Sequence, residues 1–248
     1  MTDHYAALGD IVTQSRQLLD LIKGGALAKF DQDAKAALAS QASAVANAVN
    51  DIQGKIPRIP LTLNQEMKVS SGTLPDKFTV RNGVSFEHLA TIDRDPSRRG
   101  ALAMALITDI ETDLKKIFSD FSIASQGHYV KSFNIFRVRW DIGNVADKWL
   151  FFPASCNGYI VPGQGIQSSC ALIKLESGEL QQTRLGKGVI ANQWVLTKQL
   201  QQFNGFGSYV HPVVVAASVT GSLLLALPVV STGDIAHPNQ LFSLCEVK

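Results

Sequence analysis

The chemistry of this 248-residue chain is narrowed first by what the chain has little of. It holds three cysteines, Cys156, Cys170 and Cys245, an odd number without the paired spacing of a zinc site or disulfide framework. They read as buried thiols. Charged residues make up 18% of the chain and the net charge is +2, so there is no electrostatic case for a nucleic-acid partner. The most apolar window, Pro212 to Val230, is interrupted by Ser218, Thr220, Gly221 and Ser222, and each half is too short to span a bilayer as a helix. It reads as two buried strands joined by a tight turn. The first residues lack the basic stretch and apolar run of a secretory leader.

Catalytic patterns are missing as well. There is no Gly-x-Ser-x-Gly elbow, no phosphate-cradling glycine loop with Lys, no His-Glu-x-x-His and no Cys-x-x-Cys. The five histidines, His4, His88, His128, His211 and His237, have no metal-ligand spacing, and the last two precede prolines, which suits loops or strand edges. A glycan hydrolase would need Asp141 or Asp147 working with Asp234 or Glu176, and nothing in the sequence brings those carboxylates together. A nucleophilic serine among residues 165–170 is no better supported. The expectation is a non-enzymatic protein without metal or cofactor.

What the chain does have begins with helix. From Ala26 to Asn50 it is roughly two-fifths alanine and free of glycine and proline. Leu27, Ala34, Leu38, Val45, Ala48 and Ile52 fall on a heptad seam, with Asp31 and Gln41 as polar intruders. So small a helix has little bulk to bury by itself, which points to packing against copies of the same helix, with Gln41 setting register. The alternative is an amphipathic helix lying on its own domain. Upstream, Leu8, Ile11, Ser15, Leu18 and Ile22 form a second stripe, and Gly24-Gly25 predicts a break or kink between the two. Gly54, Pro57 and Pro60 end the segment, giving a first unit over residues 1–56.

Residues 57–126 read as a short β collar followed by a second amphipathic helix. The Asn82-Gly83 pair predicts a hairpin. Asp95 and Pro96 form a helix start, after which Ile107, Ile110, Leu114 and Ile117 keep three-four spacing, with Asp109, Glu111, Asp113, Lys115 and Lys116 on the other face. Isoleucine on such a seam favours three- or four-stranded association, although packing on the protein's own sheet fits nearly as well.

Residues 127–248 carry the β pattern. Phe136, Val138 and Trp140 alternate with Arg137 and Arg139, Ser177-Gly178 reads as a turn, and glycines punctuate short apolar runs. The fold class expected is therefore α+β: an N-terminal coiled-coil-like oligomerisation segment, a β collar with a second helix, and an antiparallel β-sandwich or jelly-roll-like head. Two loops of the head mix aromatics with Gly, Asn and Ser as binding loops do: Phe203, Asn204, Phe206 and Tyr209 in one, Asn157 and Tyr159 in the other.

This order of elements, and above all the Ala/Ser-rich stretch from Ser40 to Val49, resembles bacteriophage tail-fibre and receptor-binding tail-tip proteins. The resemblance implies a homotrimer on the virion tail, assembled in the host cytoplasm, joined to other virion proteins by its N-terminal region and touching a host-surface glycan or protein with its C-terminal tip. A purely structural connector or capsid-decorating spike, and a cell-surface glycan hydrolase, are the competing expectations.

Overall fold

A computed structural model describes residues 2–55, 58–125, 131–155, 157–163, 165–204 and 207–244. The chain divides into two compact units, Met1–Lys55 and Ile56–Lys248. The first is a helix throughout: α1 spans Thr2–Leu21, a π-helical turn covers Ile22–Ala26, and α2 spans Leu27–Lys55. Gly24-Gly25 does not break it. The paired glycines are accommodated as one wider turn, in which the Leu27 N–H donates to the Ile22 carbonyl, five residues back. The large apolar residues of both stripes, Leu8, Ile11, Leu18, Ile22, Leu27, Leu38, Val45 and Ile52, are 46–65% exposed. Gln41 and Ala48 are exposed with them. Among the described residues of this first unit, none covers that face. Among the described residues, no helix is long and apolar enough to cross a membrane.

The second unit confirms the α+β class with a sandwich-like head. Its strands are β1 (Phe78–Val80), β2 (Val84–Ile92), β3 (Phe133–Asp141), β4 (Trp149–Pro153), β5 (Val161–Pro162), β6 (Gly165–Ser177), β7 (Trp194–Phe203), β8 (Tyr209–Val210), β9 (Val214–Val215) and β10 (Thr220–Thr232). A five-stranded sheet has the order β2-β3-β10-β6-β7, a three-stranded sheet the order β1-β4-β9, and β5 pairs with β8. Every pairing between these strands is antiparallel.

The five-stranded sheet is covered on both faces. On one, Phe136, Val138 and Trp140 of β3, Ala171 and Ile173 of β6, and Leu223 and Leu225 of β10 meet Phe78, Leu150 and Phe151 of the smaller sheet. On the other, Ile135, Leu172, Leu224 and Ala226 meet Ile107, Ile110 and Leu114 of α3 (Ala101–Leu114). A central strand buried on both faces reads as a continuous apolar run, which is why β10 and β6 lack polar alternation. Gly221 is needed here for space: a Cβ would stand 2.0 Å from the Trp140 ring.

Three expectations change. The helix at 95–121 is not a subunit seam: Ile107, Ile110 and Leu114 are at most 1% exposed within this chain's own core, and Ile117, beyond the end of α3, is 68% exposed. Asp95 caps only a short 3-10 turn, Pro96–Arg98, accepting from the Ser97 N–H, and α3 starts afresh after Gly100. The charged face is not simply solvated either, since Glu111 and Asp113 are buried. Asp113 accepts the Trp194 backbone N–H at 2.8 Å, and Asp109 accepts the Trp194 indole N–H at 2.8 Å. These carboxylates dock α3 on β7.

Residues 58–125 do not form a separate collar. Strand β2 is an edge of the main sheet, and α3 is one of its layers, so no boundary falls at 126. The Asn82-Gly83 turn is present, with Gly83 at φ +84°, but it joins strands of different sheets: β1 pairs with β4 and β2 with β3. Likewise β9 and β10, the two halves of the apolar window, pair with β4 and β3 rather than with each other. Of the cysteines, Cys170 is fully buried, and burial pushes its thiol up to about 12; Cys156 and Cys245 lie outside the described residues.

Candidate ligand-binding surface

The outward face of the three-stranded sheet carries an aromatic groove, and a bulge in β4 builds it. On a regular strand, residues three apart face opposite sides. The register of β4 against β9 shifts between Trp149 and Phe151, so Leu150 and Phe151 both turn inward while Trp149 and Phe152 share the outer face. Their ring centroids are 5.4 Å apart. Tyr159 stands edge-on to Phe152 at 5.2 Å and is 59% exposed.

The turn that presents Tyr159 is fixed by its own hydrogen bonds. Ser155 and Gly158 exchange backbone bonds of 2.9 and 3.1 Å, the Asn157 N–H donates to the Ser155 hydroxyl at 3.0 Å, and that hydroxyl donates to the Ile160 carbonyl. His211 Nδ1 lies 3.3 Å from the Tyr159 carbonyl, and Tyr209, 54% exposed, packs edge-on to His211 at 5.1 Å. Arg81 covers the Trp149 ring at 5.6 Å. Asp147, Arg184 and His211 rim a groove of about 370 Å³, and Val213 and Val215 contribute to its apolar lining. Arg184 sits at φ +53°, a conformation that costs a non-glycine residue free energy, and its backbone N–H donates to the Gln199 side-chain oxygen.

The groove therefore offers aromatic faces for the C–H faces of a ring, with a carboxylate, a guanidinium and an imidazole at the rim for hydroxyls. That is a pocket of ordinary ligand size, apolar with a few convergent polar groups. The larger cavity, about 780 Å³ beside β2 and β3, is a weaker candidate. Its polar side chains already satisfy one another: Thr91 donates to Asn134 Oδ1 at 2.6 Å, His88 Nε2 lies 3.1 Å from the same oxygen, and Asn134 donates to the Met67 carbonyl at 3.0 Å.

Of the residues singled out in the sequence, the structure draws Tyr159 and Tyr209 together through His211. Asn157 and Asn204 are exposed beside them in sequence, on their turn and loop. Phe203 is a packing residue: its ring lies against the Val161, Val210 and Val230 cluster and fills the space a side chain at Gly163 would need. Phe206 lies outside the described residues. Sequence reasoning missed Trp149, Phe152 and Arg184. A signal existed in Asp147-Lys-Trp149, a charged approach to an aromatic strand, but alternation places Trp149 and Phe152 on opposite faces unless the bulge is known.

Two of the carboxylates weighed for hydrolysis, Glu176 and Asp234, are engaged elsewhere, while Asp147 lies at the groove rim. Burial works against the Glu176 charge, but hydrogen bonds from Arg137 and Ser222 outweigh it and hold the group below the usual carboxylate range. Asp234 pairs with Lys198 at 2.5 Å. Among the described residues, no group of three or more His, Cys, Asp or Glu is arranged to hold a metal ion. Compared with protein-family models and with curated proteins, the chain matches none.

Proposed function

We propose that this chain is a non-enzymatic, self-associating recognition protein, a homotrimeric tail-fibre or tail-tip subunit of a bacteriophage whose β head binds a host-surface glycan. The observation that carries the recognition half is the outward cluster of Trp149, Phe152 and Tyr159. Tyr159 is 59% exposed, and Trp149 and Phe152 are each partly open to solvent beside Asp147 and Arg184; a sugar ring stacked on them would cover these rings and hydrogen-bond the rim. The self-association half rests on the uncovered apolar face of the N-terminal helix. Placement on a virion tail rests on the resemblance in element order and on the Ala/Ser-rich helix. Three copies on one stalk would convert weak single-site binding into avidity without new contacts.

The test is binding of the full-length protein to a panel of immobilised bacterial surface polysaccharides, alongside the double variant Trp149→Ala, Tyr159→Ala. The expected result is capture of at least one polysaccharide by the parent chain. The variant should lose about tenfold or more in affinity, with its thermal unfolding little changed, because both rings lie on the outer face of the sheet. Equal binding by the two proteins would remove the groove from the reading. No capture across the panel would favour the structural connector, and release of soluble sugar would favour the hydrolase.

A further inference from the structure

The two apolar stripes of the N-terminal helix are out of phase in the sequence, and the π-helical turn brings them back into phase. From Leu8 to Ile22 the stripe runs in steps of three and four; from Leu27 it runs the same way to Ile52. Between Ile22 and Leu27 lies a step of five. In a regular α-helix, at about 100° per residue, five residues turn the second stripe about 140° away from the first. In the structure the Leu27 N–H bonds the Ile22 carbonyl, so the extra residue is absorbed in the wider turn and Leu27 takes the place of an i+4 residue above Ile22. Leu18–Ile22, Ile22–Leu27 and Leu27–Asp31 then act as three successive four-residue steps, one residue more than the heptad pattern, which a coiled coil follows by locally unwinding.

We infer that this turn is a phase-setting device that joins both stripes into one seam for parallel, in-register copies of the same helix. The inference rests on the reading of the helix as a self-association segment and adds its register and direction. Three observations select a second copy as the occupant. First, such a discontinuity must be matched at the same height by the partner, which parallel copies do automatically; an antiparallel copy laid end to end sets Gly24 against Asp33 instead. Second, the seam is long enough: at 1.5 Å per residue and about 10 Å in width it offers about 800 Å² per helix, the size of a standard interface. Third, its charge is self-complementary. Asp31 is the one charged residue on the seam, and Lys35 Nζ lies 3.5 Å from it, so stacked copies bring neutral pairs to the axis rather than a ring of like charges. The flanking positions Val12, Leu19, Phe30 and Val49 are apolar and 45–72% exposed, which widens the face beyond what a two-stranded seam uses.

The experiment compares the full-length chain with two length variants by light scattering over a concentration series. Deleting Gly24 removes the extra residue, leaving an unbroken α-helix with the stripes still aligned. Inserting one alanine between Ala26 and Leu27 rotates them apart by about 100°. The expected result is that the deletion variant keeps the parent's oligomeric mass and dissociates at the same concentration or lower, while the insertion variant dissociates at tenfold higher concentration or more. Equal behaviour of the two variants, or a weaker oligomer for the deletion, would overturn the phase argument while leaving self-association standing. A monomeric parent would overturn self-association itself and this inference with it. Direction is read separately from Ser15→Cys, a seam position, oxidised beside the unsubstituted chain. An added disulfide-linked dimer is expected, and its absence would sink the parallel register.

Discussion

Glu111 shows how much a single residue's role depends on its surroundings. By spacing it belongs to a charged helix face, yet its carboxylate accepts the Ala124 N–H at 2.7 Å, the Ser122 hydroxyl at 3.1 Å and Lys115 Nζ at 2.5 Å. Burial opposes its charge; the Ala124, Lys115 and Ser122 hydrogen bonds prevail and hold the group below the usual glutamate range. A folded-state pKa below the unfolded one contributes stability that is complete above the unfolded value and lost as pH falls through the folded one. Glu111→Gln should therefore cost about 1–3 kcal/mol at neutral pH, the range for hydrogen bonds to charged groups, and the gap should narrow as pH falls below the ordinary glutamate range. Thermal unfolding by circular dichroism from pH 7 to pH 3 measures this, and a gap that stays constant would mean the carboxylate's charge contributes nothing. Trp149 and Tyr159 make the same point at the groove, where their placement decides that they face outward.

Among the elements, helix α3 and the bulged strands carry the lesson. Three-four spacing in Ile107, Ile110 and Leu114 reports an apolar face but not its partner, and the partner is this chain's own sheet. Ile110→Ala should destabilise the head by about 2–5 kcal/mol through the cavity it leaves, without changing the mass of the assembly. A change in stoichiometry without loss of stability would return α3 to an intersubunit role. Strand alternation was legible where the ladder is regular, as in Phe136, Val138 and Trp140, and failed at irregularities. In β2 the register shift between His88 and Ala90 turns Phe86 toward one core and Ala90 and Ile92 toward the other. In β10 a shift between Ala226 and Val229, with Leu227 at φ +52°, does the same service. One inserted residue reverses every facing after it, and no local propensity marks where it falls.

For the whole molecule, the boundary that matters lies near residue 56. A chain beginning at Arg58 keeps both sheets, α3 and all three clusters of buried apolar residues, and should fold and run as a monomer on light scattering. The full-length chain should run as a multiple of 26.8 kDa. A shortened chain that remained oligomeric would place the self-association in the head. A cut at 127, by contrast, removes β1, β2 and α3 and should leave an insoluble remnant, because Phe133, Ile135 and Leu172 would lose the residues that cover them.

The sequence by itself determined the α+β class, the helical character of the first unit with its two apolar stripes, and the β pattern with its turns at Gly83 and Gly178. All of these follow from periodicity and backbone preference within a few residues of each position. Only the tertiary structure decided which apolar faces find partners within the chain, which strands share a sheet, and which aromatics stay outside. Those outcomes depend on residues far apart in sequence and on single-residue irregularities: the bulges in the strands and the π-helical turn in the helix. Each re-aims everything that follows it, at a free-energy cost that packing elsewhere offsets.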